Sequence, residues 1–198
     1  MKYPTAKGME MRRILKIILA LFGLFIIIVG AFAALVFLDL AAYTATGTQT
    51  LTPTGTSVGK ALVIYDPGLS GNAKTVANKI AVDLQTANYT VTFAGAKSSD
   101  ASKTAGYSLL VVGGPVYAGS LTSSIKDCLS NLKPDFGAKI GVFGSGQGAT
   151  SADDIAQLKQ SMPVKSYLDG AVVVKIGEKE DLTVRAQELV TQLIQIRT

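Results

Sequence analysis

Apolar and polar residues divide the chain into two differently patterned parts. Residues 17–38 contain no charge and no proline, and no polar stripe interrupts them. A helix of that length covers about 33 Å at ~1.5 Å per residue, whereas the hydrocarbon core of a bilayer is ~30 Å thick. The pattern therefore predicts a transmembrane helix over residues 17–38, in contact with membrane lipid.

From Lys60 onward, short apolar runs alternate with apolar residues at helical spacing. Five runs predict strands, at residues 61–65, 90–93, 109–112, 140–143 and 171–174. Most are continuously apolar, as expected for strands buried on both faces, but residues 90–93 alternate and predict a half-exposed edge strand. Alternation of strands and helices predicts an α/β fold with a parallel sheet covered on both faces.

Between these two parts, threonine occupies every second position from Thr44 to Thr56. The residues between them are mostly small or polar and form no apolar face. We therefore expect residues 39–59 to be a Thr-rich, extended and solvated linker rather than a strand.

The charge of the chain is concentrated before the apolar segment. The 198 residues carry a net charge of +5, of which residues 1–16 supply +4 and the remainder +1. A nearly neutral folded part has no basic face for DNA or RNA, so we expect no nucleic-acid binding. Lys and Arg before a span favour the cytoplasm. We therefore expect a single-pass protein of the cell membrane, with a cytoplasmic basic tail (residues 1–16) and an extracytoplasmic folded domain.

A cleaved signal peptide is the alternative interpretation of the N-terminal segment. Residues 31–33 and 40–42 resemble small-residue cleavage sites. However, the apolar region of a signal peptide is usually ~7–15 residues long, which is shorter than this segment. We favour an uncleaved anchor.

Composition excludes several kinds of chemistry. The chain has no histidine, which excludes a Ser-His-Asp triad, a Cys-His pair and His-ligated zinc. Cys128 is the single cysteine, so an intrachain disulfide and CxxC motifs are excluded. We expect Cys128 to be a small buried hydrophobic residue on its helix.

Three glycine-bearing loops follow predicted strands, at residues 66–75, 113–120 and 144–149. Ligands of such sheets bind beyond the carboxyl ends of the strands. The first loop leads into a helix N-terminus, which favours a phosphate, although Asp66 and Pro67 oppose one. The second carries Tyr117, which can stack on a planar ligand, and the third lets the backbone approach a flat ligand closely.

The first loop also nearly matches the Walker A pattern, with Gly68, Lys74 and Thr75 in place but Ala73 where a glycine belongs. The strands at residues 109–112 and 140–143 are followed by glycine and serine rather than by an acid that holds Mg²⁺. The sequence therefore disfavours ATP or GTP hydrolysis.

Together these loops resemble those of the flavodoxin family. Ser70-Gly71-Asn72 is similar to the family's T-G-N phosphate loop, and residues 111–117 are similar to its second flavin loop. The resemblance covers residues 60–198. It implies a flavodoxin-like, doubly wound sheet of five parallel strands in the order 2-1-3-4-5, with FMN as the cofactor.

The resemblance also implies which residues would bind FMN. Its phosphate would lie around residues 70–73, its ring would lie between the second and third loops beside Tyr117, and the backbone at Ala118 and Gly119 would bond to N5. The cofactor-binding residues implied are Ser70, Gly71, Asn72, Ala73, Pro115, Val116, Tyr117, Ala118, Gly119, Gly144, Ser145, Gly146, Gln147 and Gly148.

We therefore expect a membrane-anchored, FMN-binding protein of electron transfer, working with a redox partner protein or a quinone. Two alternatives stay open. One is a flavin-dependent NAD(P)H or quinone reductase, for which no residue is a convincing catalyst. The other is a flavin-free binding or structural module, favoured by Asp66, Pro67 and Ala73.

Overall fold

A computed structural model of the protein describes residues 6–42 and 45–195. The chain divides into two compact units, Met1–Asp39 and Leu40–Thr198.

Most of helix α1, which spans Ala6–Ala42, lies in the first unit. Its segment Leu15–Ala34 is 20 residues long, has a mean hydropathy of 2.9 and has none of its side chains buried. By length and composition this segment is able to cross a membrane, and a signal sequence has the same properties. The predicted apolar helix is confirmed.

The second unit is built on one mixed sheet. Its strands are β1 (Thr48–Leu51), β2 (Gly59–Tyr65), β3 (Tyr89–Gly95), β4 (Leu109–Tyr117), β5 (Ser120–Leu121), β6 (Lys139–Gly146) and β7 (Val172–Gly177). The order is β1-β3-β2-β4-β6-β7, and β5 pairs with β4. Strands β3, β2, β4, β6 and β7 run parallel in the expected 2-1-3-4-5 order, so the fold prediction is confirmed.

Within residues 45–195, four helices cover the two faces of the sheet: α2 (Asn72–Thr86), α3 (Ser123–Asn131), α4 (Ala152–Ser161) and α5 (Leu182–Gln195). Short 3₁₀ turns occur at Asp100–Ser102 and Ser166–Leu168. Helices α2 and α5 bury their apolar stripes on one face, and α3 and α4 bury theirs on the other. A capping box begins α4, in which Ser151 and Asp154 are bonded reciprocally.

The expectation that the alternating threonines form no strand is wrong at residues 48–51. Strand β1 pairs antiparallel with β3, from Thr48 opposite Ala94 to Leu51 opposite Val91. Leu51 packs against the α2–α5 core, and the pairing satisfies the outer backbone groups of β3. Strand β3 is therefore not the edge strand that its alternation predicts.

The chain is bound to the domain even before β1. The Gly95 amide donates to the Gly47 carbonyl at 2.9 Å, and the Lys97 amide donates to the Ala45 carbonyl at 3.1 Å. Residues from Ala45 onward thus belong to the hydrogen-bonded structure of the domain. The solvated linker expected over residues 39–59 does not hold for this part.

Candidate functional site

The three predicted loops lie side by side at the carboxyl edge of the sheet. Strands β2, β4 and β6 are parallel neighbours, so the segments that follow them share one edge. The Leu69 amide of the first loop donates to the Tyr117 hydroxyl of the second at 3.4 Å. A Cβ on Gly144 would lie only 2.5 Å from Cγ2 of Val116, so the second and third loops are also in direct contact.

The first loop ends in an uncapped helix N-terminus. Gly71 is the N-cap of α2 in the left-handed conformation (φ 73°), and no side chain of the described residues caps the helix. The Asn72 amide donates to the Ser70 hydroxyl at 3.4 Å, and both of these side chains are exposed. The amides of a helix's first turn have no partner within the helix, and they favour an anion.

Ala73 contributes to this loop only through its backbone. Its side chain is buried in the core between the sheet and α2. The position thus faces the interior, and a methyl group fits it.

Asp66 does not obstruct the helix N-terminus. Its side chain is 2% exposed. One carboxylate oxygen accepts from the Gly68 amide at 3.1 Å, and the other accepts from the hydroxyls of Thr122 and Ser124 at the start of α3. These donors stabilise the carboxylate in the interior. The sequence holds no signal for this arrangement, because Thr122 is 56 residues away from Asp66.

The second loop is a tight hairpin between β4 and β5. Tyr117 pairs with Ser120, and Ala118 (φ 49°) and Gly119 (φ 77°) form the turn between them. Two central residues with positive φ define a type I′ turn. Pro115 lies beneath this turn, 3.0 Å from where a Cβ on Gly68 would stand, so Gly68 allows the first two loops to approach each other.

The left-handed backbone at Ala118 leads to a prediction. Because a Cβ is strained at this φ, Ala118→Gly should raise the free energy of unfolding by roughly 1 kcal/mol. Ala149 lies in the third loop without a positive φ, so Ala149→Gly should instead lower it by roughly 0.5 kcal/mol. Urea denaturation of both variants measures these two changes in the free energy of unfolding. An equal change in both variants would contradict a strained turn at Ala118.

The third loop begins inside β6. Gly144 and Ser145 pair with Gly114 and Pro115 of β4, and the turn starts at Gln147, which is exposed. Ser145 is 9% exposed. The sheet therefore extends into the candidate site, and only the residues after Gly146 form a true loop.

Contacts with the segment after β7 hold the third loop in place. The Glu178 amide donates to the Gly146 carbonyl at 3.0 Å. Glu180 accepts from the Gly177 amide at 2.6 Å and from the Thr150 hydroxyl at 2.7 Å. Burial alone would raise the pKa of Glu180, but these hydrogen bonds and the nearby Arg185 outweigh it and lower the pKa. Glu180 thus stays ionised, and the loop stays bound to it.

An ion pair between a buried lysine and a partly exposed aspartate lies under the same loop. Lys175 Nζ is 2.8 Å from Asp154 Oδ1, and the side chains are 9% and 30% exposed respectively. The hydrogen bond from Lys175, with those from Ser151, lowers the pKa of Asp154 to about 2. The side chain of Lys175 also lies close to Gly146, since a Cβ on this glycine would be 3.3 Å from Cε of Lys175. Sequence reasoning missed these supporting residues, because their partners come from distant segments.

A small cavity of about 160 Å³ lies beside the first turn of α2. Asn72 and Thr75 line one side, Glu178 and Glu180 line the other, and Ser145 also contributes. The structure therefore brings the first loop and the buried end of the third loop to one concave surface.

Comparison with known proteins supports the fold. No family model and no curated protein matches the chain. Among solved structures, the Flv1 flavodiiron core of Synechocystis sp. PCC6803 is 21% identical, with a TM-score of 0.50 over 68% of this chain and 36% of that one. The chain thus spans about a third of that protein's length. Oxidised flavodoxin 2 of Bacillus cereus is 18% identical, with a TM-score of 0.48 over 69% of this chain and 98% of that one.

The Synechocystis match and the observed strand order agree, and the second unit has a flavodoxin-like fold. Similarity at this level of identity describes architecture, so the function rests on the residues of the site.

Proposed function

We propose that the second unit binds FMN at the carboxyl edge of its sheet and that the protein is a membrane-anchored electron carrier. The observation that carries this proposal is the uncapped N-terminus of α2 beside the Tyr117 loop, with Asp66 turned into the interior. An anion site adjoins two loops that allow the backbone to approach a flat ring.

The residues of the first loop fit a phosphate group. Ser70 supplies a hydroxyl, Asn72 an amide side chain, and the first turn of α2 supplies backbone N–H groups. The space beside these groups is open, since no atom of the described residues lies within 4 Å of the position that a Cβ on Gly71 would take. These groups would fix the phosphate end of the ligand.

The second and third loops would hold the ring and exclude water from it. Tyr117 would flank the ring, the backbone at Ala118 and Gly119 would bond to its edge, and residues 144–148 would cover the other side. The bound flavin would supply electron transfer, and the protein would position and tune it.

The apolar helix would anchor this domain to the cell membrane. The net charge of +4 in residues 1–16 favours an N-terminus in the cytoplasm, and the domain would then lie outside. A membrane quinone or a redox protein would then be the partner. Protease added to intact cells should remove the domain, and full protection would refute this topology.

Titration of the full-length protein in detergent with FMN tests the proposed cofactor. Binding should quench the flavin fluorescence with a Kd below about 100 µM. Riboflavin lacks the phosphate and should bind at least tenfold more weakly. Absence of quenching would favour a flavin-free module.

A single charge change should separate phosphate binding from folding. Asn72→Asp places a carboxylate beside the phosphate. It should weaken the binding of FMN at least tenfold and leave the binding of riboflavin unchanged. Because an acidic residue favours a helix N-terminus, the variant should be as stable as the wild type or slightly more so. Asn78→Asp, on the exposed side of the same helix, is the matched control and should bind FMN normally. Equal losses in both variants would contradict a phosphate at Asn72.

A further inference from the structure

A second cavity lies on the α3 side of the sheet, between that helix and the segment after β3. Its volume is about 290 Å³, which is room for about ten groups the size of water at ~30 Å³ each. None of the residues implied in FMN binding lines it.

The inner wall of this cavity is polar and fixed. Ser98 and Ser124 are 9% and 7% exposed. The Ser98 hydroxyl accepts from the Ala101 amide at 3.2 Å, and the Ser124 hydroxyl donates to Asp66. Cys128 also lines the cavity, half-buried rather than fully buried as expected, with its thiol 3.5 Å from the Ala96 carbonyl. A polar wall of this kind favours a polar ligand.

Two opposite charges line the same cavity without pairing. Lys97 lies on the segment after β3, and Asp127 lies on α3 beside Asn131. Within residues 45–195, neither the Lys97 ammonium nor the Asp127 carboxylate makes a hydrogen bond or ion pair, whereas Lys103 pairs with Asp100 at 2.9 Å. The Asn131 amide donates to the backbone carbonyl of Asp127 at 2.8 Å and leaves the carboxylate free. A lone anion would be repelled by Asp127, and a lone cation by Lys97.

We propose that this cavity binds a small zwitterion, a molecule of about ten non-hydrogen atoms or fewer that carries one ammonium and one carboxylate group. Its carboxylate would lie at Lys97 and its ammonium at Asp127, and the Asn131 amide and the serine hydroxyls would complete the polar contacts. Free amino acids belong to this class. The proposal is independent of flavin binding.

The single cysteine offers a direct test. Burial raises the pKa of the Cys128 thiol to about 11, so its alkylation is slow and easily timed. Full-length protein in detergent is treated with iodoacetamide at constant ionic strength and mildly alkaline pH, below the ammonium pKa of the probes, so that they stay zwitterionic. The probes are glycine, γ-aminobutyrate and glutamine. At least one zwitterion should slow alkylation fivefold or more, whereas acetate and methylammonium should leave the rate unchanged.

Variants locate the effect. Lys97→Gln and Asp127→Asn should each abolish the protection, and because both side chains are exposed the fold should persist. Lys133→Gln and Asp153→Asn remove exposed charges outside the cavity, and in these variants the zwitterion should still protect Cys128.

Calorimetric titration with the same probes measures binding to the cavity independently, including the case in which Cys128 resists alkylation. Binding of a zwitterion that is lost in Asp127→Asn supports the proposal. Protection by acetate alone, or no binding of any probe by either method, overturns it.

Discussion

Gly113→Ala should destabilise the domain by about 3 kcal/mol or more, which is enough to leave much of it unfolded. Gly113 of β4 pairs with Phe143 of β6, and a Cβ on it would lie 2.3 Å from both the ring and the carbonyl oxygen of Phe143. Phe143 is fully buried, and its carbonyl belongs to the sheet. Relief would therefore require separation of the two strands that carry the second and third loops. Urea denaturation followed by circular dichroism measures the loss.

Gly141→Ala is the matched control for this prediction. Gly141 lies on β6, one strand away, and a Cβ there would meet Leu189, Leu193 and Val111 at 3.5 Å, which is ordinary contact. This variant should be as stable as the wild type or slightly more so, since alanine reduces the entropy of the unfolded chain. If the two variants lose equal stability, steric exclusion at Gly113 is not the cause.

The second large loss of stability should follow removal of the Asp154 carboxylate, the more exposed partner of the Lys175–Asp154 ion pair. Asp154→Asn leaves the Lys175 ammonium, 9% exposed, without its carboxylate. An uncompensated buried charge is strongly destabilising, so the urea midpoint should fall by roughly 1 M. Lys175→Met removes the buried charge itself and leaves Asp154 bonded to Ser151. Its urea midpoint should therefore fall clearly less than that of Asp154→Asn. A larger loss of stability in Lys175→Met than in Asp154→Asn would contradict the burial of the Lys175 charge.

The same pair gives a pH dependence. Asp154 has a pKa of about 2 in the folded protein, below its ordinary 3.8. Its stabilisation is therefore complete above about pH 4 and is lost as the pH falls towards 2. The difference in stability between the wild type and Asp154→Asn should narrow over this interval. A constant difference would show that the ion pair is not responsible.

Local patterns were sufficient to predict the parallel strands and the place of the site, whereas the order of the strands was implied by the resemblance to the flavodoxin family. Continuous apolar runs predicted the parallel strands, and glycine-bearing loops after three of them predicted the carboxyl-edge surface that the structure assembles. Both depend on residues close together in the chain, where periodicity and turn chemistry are informative.

Features that depend on distant partners could not be predicted. Strand β1 forms because β3 offers an unpaired edge and the core offers a place for Leu51. The inward orientation of Asp66 depends on Thr122 and Ser124, and the support of the third loop depends on Glu180 and Lys175. Nothing in the residues around Asp66 reveals these partners, so its charge suggested an obstacle that the fold removes.

Hydrogen exchange of the full-length protein with and without FMN tests the central claim most directly. If the three loops form one flavin site, the amides of residues 71–74, 117–119 and 146–148 should all exchange more slowly with FMN. Residues 132–138, which precede β6 at the opposite edge of the sheet, should be unchanged. Slower exchange in only one loop, or no change in any, would contradict a flavin held between them.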